Sequence, residues 1–443
     1  MKDAILIQGG RVIDPVSGVE ALKDIRVSGN SITAIADRLI ASDSDSVFDA
    51  QGLWVSPGFI DMHTHLRDLG QKDKEDIESG TRAAAAGGFT TVVAMANTDP
   101  PVDNGAILSV LLARIQDKAT VEVLPVAAVT RGLQGEELTN MFELADLGAV
   151  AFSDDGMTIS NMSVLRRALE YARMTGRVVI SHAEDRDLSA GGCIQEGHTC
   201  TSMGLQGIPA ASETAAVARE LEIVRLTRAP YHFTHVSCAQ SVKLIKRAKE
   251  DGLPVTADVT PHHLTLNVDQ IAGYDTNYKM KPPLRLSSDQ EALAEGLKDG
   301  TIDAIATDHA PHTRLEKATT MEEASVGIIG LETAFSLCYE RLVMSAILTP
   351  LQLVSLFTSK PASILSLPSP SLDVGAPANI TVIDIAAKWT YDPTHGMSKS
   401  HNSPYAGKSM HGKPILTIYG GALVHKDERS TANRLKAHAM ETK

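Results

Sequence analysis

From about residue 56 to about residue 310 the chain alternates short apolar runs with longer stretches of helical period. This alternation constrains the fold more than any other feature. Eight runs read as strands: Phe59-Ile60, Thr91-Val92-Val93, Leu124-Pro125-Val126, Val150-Ala151-Phe152, Val178-Val179-Ile180, His232-Phe233-Thr234, Val255-Thr256-Ala257 and Ala304-Ile305-Ala306. Between them, Ala106 to Lys118, Met162 to Thr175, Ser212 to Leu226 and Ala239 to Glu250 repeat apolar residues at helical spacing. Strands alternating with helices make a parallel sheet covered on both faces. Eight such units over roughly 250 residues point to an α/β fold of the (β/α)8 barrel type. An open doubly wound sheet is less attractive, because no Gly-x-Gly-x-x-Gly loop follows the first strand.

The chain ends have a different texture. Ala4-Ile5-Leu6-Ile7, Arg11-Val12-Ile13, Asp24-Ile25-Arg26-Val27 and Ser31-Ile32-Thr33-Ala34-Ile35 are β-type runs broken by Gly9-Gly10, Asp14-Pro15 and Gly29-Asn30. The same pattern returns in Asn379 to Asp384 and Ile415 to Gly421. Two half-sheets at opposite ends can bury their apolar faces against each other as one small β-sandwich. The expected domains are residues 1–55 as its first half, 56–365 as the barrel and 366–426 as its second half. Residues 427–443 read as a charged, frayed tail. Two long interruptions, Leu188 to Ala211 and Thr313 to Ala324, read as loops over a site or as plain surface.

Composition excludes several roles. A formal net charge of -13 opposes nucleic acid and acidic membrane surfaces as partners, and aromatics make up only 4%. Cys193, Cys200, Cys238 and Cys338 show no Cys-x-x-Cys spacing and read as free thiols in a reducing compartment. No signal peptide opens the chain and no apolar run approaches the ~20 residues that cross a bilayer. The expectation is a soluble cytoplasmic protein.

In such a barrel, chemistry sits at the C-terminal ends of the strands. There the chain places His63, His65 and Arg67 after the first strand and Asn97 after the second. Asp154 and Asp155 follow the fourth strand, His182 and Glu184 the fifth, His235 the sixth, and Asp308 and His312 the eighth. Residues two apart on a strand point to one side, so His63 and His65 can meet one metal ion. Four histidines and two aspartates are too many for one tetrahedral zinc. They suit two ions bridged by a carboxylate and a hydroxide. Metal lowers the pKa of bound water to about 7 and so supplies a nucleophile. Asp308 can take up its proton and return it to a leaving nitrogen. Hydrolysis of an amide-like bond follows. His262, His263 and His309 read as packing groups, and strand parity leaves Asp154 and Asp155 undecided as the bridge.

The Asp61-x-His63-x-His65-x-Arg67 stretch, His182, His235 and Asp308 resemble the amidohydrolase superfamily. Pro282-Pro283-Leu284-Arg285, Gly327 to Thr333 and Leu372 to Ile380 are similar to bacterial class I dihydroorotases. The resemblance implies two Zn2+ ions, with His63 and His65 on one and His182 and His235 on the other. It makes Asp155 the bridge, Asp308 a ligand and general base and acid, and the metal-bridging hydroxide the nucleophile. It implies reversible hydrolysis of L-dihydroorotate to N-carbamoyl-L-aspartate in pyrimidine synthesis. Arg67, Asn97 and His312 would hold the substrate carboxylate, and backbone at Val326 and Gly327 the ring. Lys281 stands where many members carry Asn, as a further substrate contact, and Leu69 replaces a common Pro.

The resemblance extends to hydantoinases, dihydropyrimidinases and allantoinases, which use a carboxylated lysine as bridge; Gly148 to Gly156 contains no lysine. An inactive scaffold for aspartate transcarbamoylase is a third reading, opposed by the complete ligand set. A homo-oligomer is expected, and association with an aspartate transcarbamoylase is left open.

Overall fold

Eight strands pair in parallel and in chain order: β1 (Phe59–Thr64), β2 (Phe89–Ala94), β3 (Glu122–Ala127), β4 (Ala151–Phe152), β5 (Val178–Ser181), β6 (Tyr231–Phe233), β7 (Val255–Val259) and β8 (Ala304–Ile305). The computed structural model describes residues 4–43, 45–271, 273–432 and 434–436. The barrel closes between its first and last strands. Thr64 bridges His309, the His65 N–H donates to the His309 carbonyl at 2.9 Å, and Asp61 accepts from the Thr307 N–H at 2.9 Å. Closure therefore brings the two ends of the motif-bearing sequence side by side.

The outer helices bury one stripe each. Met162–Thr175 buries Val164, Leu165, Ala168, Leu169 and Ala172, the i, i+3, i+4 pattern that marked it in the sequence. Asn161 caps its start and Gly176, in the left-handed region, ends it. A second cluster gathers Ile60, Met62, Val93, Val126, Val178, Ile180, Ala304 and Ala306 from β1, β2, β3, β5 and β8. From β6 and β7 come His232, Thr234, Thr256 and Asp258 instead, hydrogen-bonded to one another. That polar block is the foundation of the site.

The chain ends join in one nine-stranded sheet, with Trp54–Pro57 as the seam. This short strand runs parallel to Ala4–Asp14 and antiparallel to Ile380–Thr390. Ala4–Asp14 changes partner along its length, pairing Asp45–Asp49 first and Trp54–Pro57 later. The change falls at the Gly9-Gly10 irregularity. Gly9 has φ +70, and a Cβ on Gly10 would lie 2.4 Å from a Val55 methyl.

Of the two long interruptions, 188–211 carries a parallel pair of two-residue strands, Ile194–Gln195 and Gly207–Ile208, around the helix His198–Met203. Within the stretch read from sequence as tail, Glu428–Thr431 is a helix and Leu435–Lys436 a strand that pairs Asp45–Asp49. Covering a sheet edge explains why this charged stretch is ordered. Residues 437–443 of that expected tail lie outside the described residues. All four cysteines are buried and unpaired. Among the described residues no helix is long and apolar enough to cross a membrane.

Candidate metal centre and active-site cavity

At the C-terminal mouth of the barrel, Asp155 stands between two pairs of histidines. Its Oδ2 lies 3.4 Å from His63 Nε2 and 3.5 Å from His65 Nε2. Its Oδ1 lies 3.8 Å from both His182 Nδ1 and His235 Nε2. Asp308 Oδ1 joins the first pair, 3.2 Å from His65 Nε2 and 3.5 Å from His63 Nε2. Two groups of possible ligand atoms, His63/His65/Asp155 and Asp155/His182/His235, each fall within 4.8 Å. His235 and Asp308 reach these positions with φ of +40 and +48, and Arg67 with +54. Such values cost energy for side-chain-bearing residues and persist where surroundings hold them.

Asp154, the neighbour with the same chemistry, faces away. Its carboxylate accepts from the Val129 and Thr130 N–H groups at 2.8 and 3.0 Å, and from the Thr130 hydroxyl. Parity of a two-residue strand could not foretell which aspartate turns inward.

Behind the ligands lies a layer of orienting groups. His63 Nδ1 is 2.8 Å from Thr234 Oγ1, which donates to Asp258 Oδ2 at 3.0 Å. Asp258 also accepts from the His235 N–H at 2.6 Å and meets His232 Nε2 at 2.8 Å. His65 Nδ1 is 2.9 Å from Asn97 Oδ1, and Asn97 donates to Asp155 Oδ2 at 3.1 Å. On the other side, Glu184 Oε2 lies 3.6 Å from His182 Nε2 and 2.8 Å from Lys281 Nζ. Outer partners of this kind set which imidazole nitrogen keeps its lone pair. Asp258, Thr234 and Asp61 were not singled out as such from the sequence. The available signal was a carboxylate inside a strand covered on both faces, which needs a partner.

The electrostatics fit a bound cation. Burial opposes charge on Asp155 and Asp308, yet His63 and the neighbouring imidazoles hold both carboxyls below the usual range. Against its own burial, His63 is raised to about 10 by Asp155 and Asp308. The cluster thus favours positive charge at its centre. His63 Nε2 and Asp155 Oδ1 are buried with no hydrogen-bond partner. Inward imidazole nitrogens and carboxylate oxygens are the donor set of zinc and related divalent ions. The residues fit a metal centre.

A cavity of about 190 Å3 opens over this cluster. Arg67, Asn97, His312, Lys281, Val326 and Gly327 are among the residues that line it. Arg67 donates through Nε to the Pro311 carbonyl at 3.2 Å, which turns its fork inward. His312 Nε2 donates to the Val326 carbonyl at 2.8 Å. The Gly327 N–H is committed to the Lys279 carbonyl, and its own carbonyl accepts from Lys317 and Asn402. Gly327 therefore offers a flat peptide face. Its φ of +123, and Ala310 Cβ only 2.6 Å from where a Cβ would stand, keep that face bare. His262 and His263 lie outside both ligand groups, with His263 held by Thr260 Oγ1 and the Pro282 carbonyl. His309 points to Glu75.

The family model described as Dihydro-orotase-like matches residues 52–241. The chain is 48% identical over 423 residues to the dihydroorotase of Pelotomaculum thermopropionicum, covering 96% of this chain and 99% of that one. It is 45% identical over 432 residues to the dihydroorotase of Anaeromyxobacter dehalogenans, covering 97% and 100%. Among solved structures, the L-hydantoinase (dihydropyrimidinase) of Arthrobacter aurescens has a TM-score of 0.85 at 25% identity, over 96% of each chain.

Proposed function

Because the chain belongs to the dihydroorotase family, we propose that this site opens and re-forms the cyclic amide of L-dihydroorotate, giving N-carbamoyl-L-aspartate, with two zinc ions bound. His63 and His65 would hold one ion, His182 and His235 the other, with Asp155 shared and Asp308 on the first. Bound zinc supplies a hydroxide nucleophile at neutral pH and polarises the amide carbonyl. Asp308 takes the proton released as the C–O bond forms. It returns that proton to the ring nitrogen as the C–N bond breaks, leaving a carboxylate and a carbamoyl NH2. Arg67 is the planar fork for the substrate carboxylate, beside Asn97 and His312. Lys281 meets the ring-opened end, and the ring lies against Val326 and Gly327. The reaction belongs to pyrimidine synthesis in the cytoplasm.

The observation that carries this reading is Asp155, whose two oxygens divide between the two histidine pairs. The test is hydrolysis of L-dihydroorotate by purified protein, with zinc counted on the same sample. Turnover should fall on chelation and return with zinc. Asp308→Asn should keep its metal and lower kcat by about 10²–10⁴; full activity in that variant would remove Asp308 from proton transfer. The hydantoinase likeness favours a second reading, with a neutral ring as substrate. Faster turnover of hydantoin than of dihydroorotate would establish it.

A further inference from the structure

Lys317 is 6% exposed, in the long interruption that the sequence reads as a loop over a site or as plain surface. Its ammonium donates to three backbone carbonyls: Ser325 at 2.8 Å, Gly327 at 3.1 Å and Lys279 at 3.2 Å. Burial pushes the Lys317 amine down to about 7; as an ammonium, its three N–H groups are all matched. A Leu or Met would fill the same space without burying a charge, which makes plain packing a poor account of it.

The three carbonyls belong to two stretches that wall the cavity from different parts of the chain. One is 325–327, which ends in the bare peptide face of Gly327. The other leads from Lys279 to Lys281. The Lys279 carbonyl receives both the Gly327 N–H, at 3.0 Å, and the Lys317 ammonium. Asn402 adds a second donor to the Gly327 carbonyl at 3.0 Å. The helix bearing Lys317, Arg314–Lys317, is tied down in turn. Thr313 caps it, Lys74 pairs Glu316 at 2.7 Å, and the Thr276 hydroxyl donates to the Lys317 carbonyl.

We propose that Lys317 is a positioning residue for substrate, whose ammonium holds the Gly327 wall and the Lys279–Lys281 stretch at the separation the substrate ring requires. This rests on the reading that the ring lies against Val326 and Gly327. Lys317 touches neither the reacting atoms nor the metal cluster, so it acts on binding and leaves the chemical step alone.

The test uses the full-length, zinc-loaded protein and Lys317→Met, which keeps the stem and removes the donors. KM for L-dihydroorotate should rise between about tenfold and a hundredfold. Zinc content should stay at the parent value and kcat within about threefold, since the displaced group is the binding wall alone. Amide hydrogen exchange at Gly327 and Ala310 should accelerate. Unchanged KM together with unchanged exchange would overturn the proposal, as would a kcat that falls in step with zinc content. Lys317→Gln keeps two donors and should lie between the other two. If the Met variant does not fold, parent-like KM and exchange in the Gln variant would also overturn it. A parent protein inert towards dihydroorotate would sink the functional reading alone, and the exchange measurement would still decide on the clamp.

Discussion

The two halves of the metal centre are built differently. His63 and His65 come from one strand, and each has its remote nitrogen held: His63 Nδ1 by Thr234 and His65 Nδ1 by Asn97. Asp61 further fixes the first of them, accepting from the His63 N–H at 3.2 Å. His182 and His235 come from two strands. His182 Nε2 lies 3.6 Å from Glu184, beyond hydrogen-bond length, and His235 Nδ1 is buried without a partner. The backbone of His235 is held at a positive φ by Asp258, and its ring Nε2 meets His182 Nδ1 at 2.9 Å, a contact between the two ligands themselves. In the first half both remote ring nitrogens are hydrogen-bonded to side chains outside the ligand set; in the second neither is. Since outer partners tune ligand basicity and ring orientation, the first half should bind its ion more tightly.

The largest test of this contrast abolishes it. Asp155→Ala removes the carboxylate common to both halves, and bound zinc should fall to less than one ion per chain with turnover at background. A variant that still held two ions would show that the histidines alone define both positions. Graded chelation of the parent protein is the next test. One equivalent should leave first, and His182→Ala should abolish that labile fraction while His63→Ala removes the tight one. Loss of both ions in a single step would mean that the halves are energetically one unit. A smaller effect should follow from the support layer. Thr234→Val leaves His63 Nδ1 unheld and should weaken the tight site by about 10- to 100-fold, bringing the two affinities together. Glu184→Gln should change zinc affinity less, because its contact to His182 is long.

The same contrast explains what could be read without coordinates. The His63/His65 pair was legible because period-two geometry makes two residues of one strand converge whatever the barrel does around them. The barrel itself was legible because burial on both faces leaves strands as unbroken apolar runs between amphipathic helices. Met162–Thr175 and Ala239–Glu250 end where their patterns end. The orienting layer was not legible. Asp258 reaches His63 only through Thr234 on the neighbouring strand, a relation set by the parallel register of β6 and β7 and not by any local spacing. Lys317 looked like one more charge in a polar loop. Its burial depends on three carbonyls contributed by distant turns, which no periodicity announces. Asp154 and Asp155 were a tie because a two-residue strand gives parity nothing to act on.

The smallest predicted effect concerns two buried carboxylates beneath the site, which respond to pH in opposite senses. Beneath His63 and His235 alike, burial would raise Asp258, but its pairing with His232 holds it below the usual aspartate value. Its stabilisation is therefore present at neutral pH and lost as pH falls through the acid range. Under the second half, Glu220 accepts from Ser181 Oγ at 2.7 Å and Tyr231 Oη at 3.0 Å, and burial raises it to about 7 from 4.5. The folded protein then keeps a proton that the unfolded chain has already lost, so stability falls as pH climbs from about 4.5 to about 7. At 1.36 kcal/mol per unit the loss is at most about 3 kcal/mol, before relaxation around the buried group reduces it. Glu220→Gln carries no charge to bury and keeps an oxygen for both hydroxyls. Its melting temperature should exceed the parent's at pH 8 by a few degrees and match it at pH 5. An advantage of equal size at both pH values would mean that packing, and not ionisation, separates the two proteins.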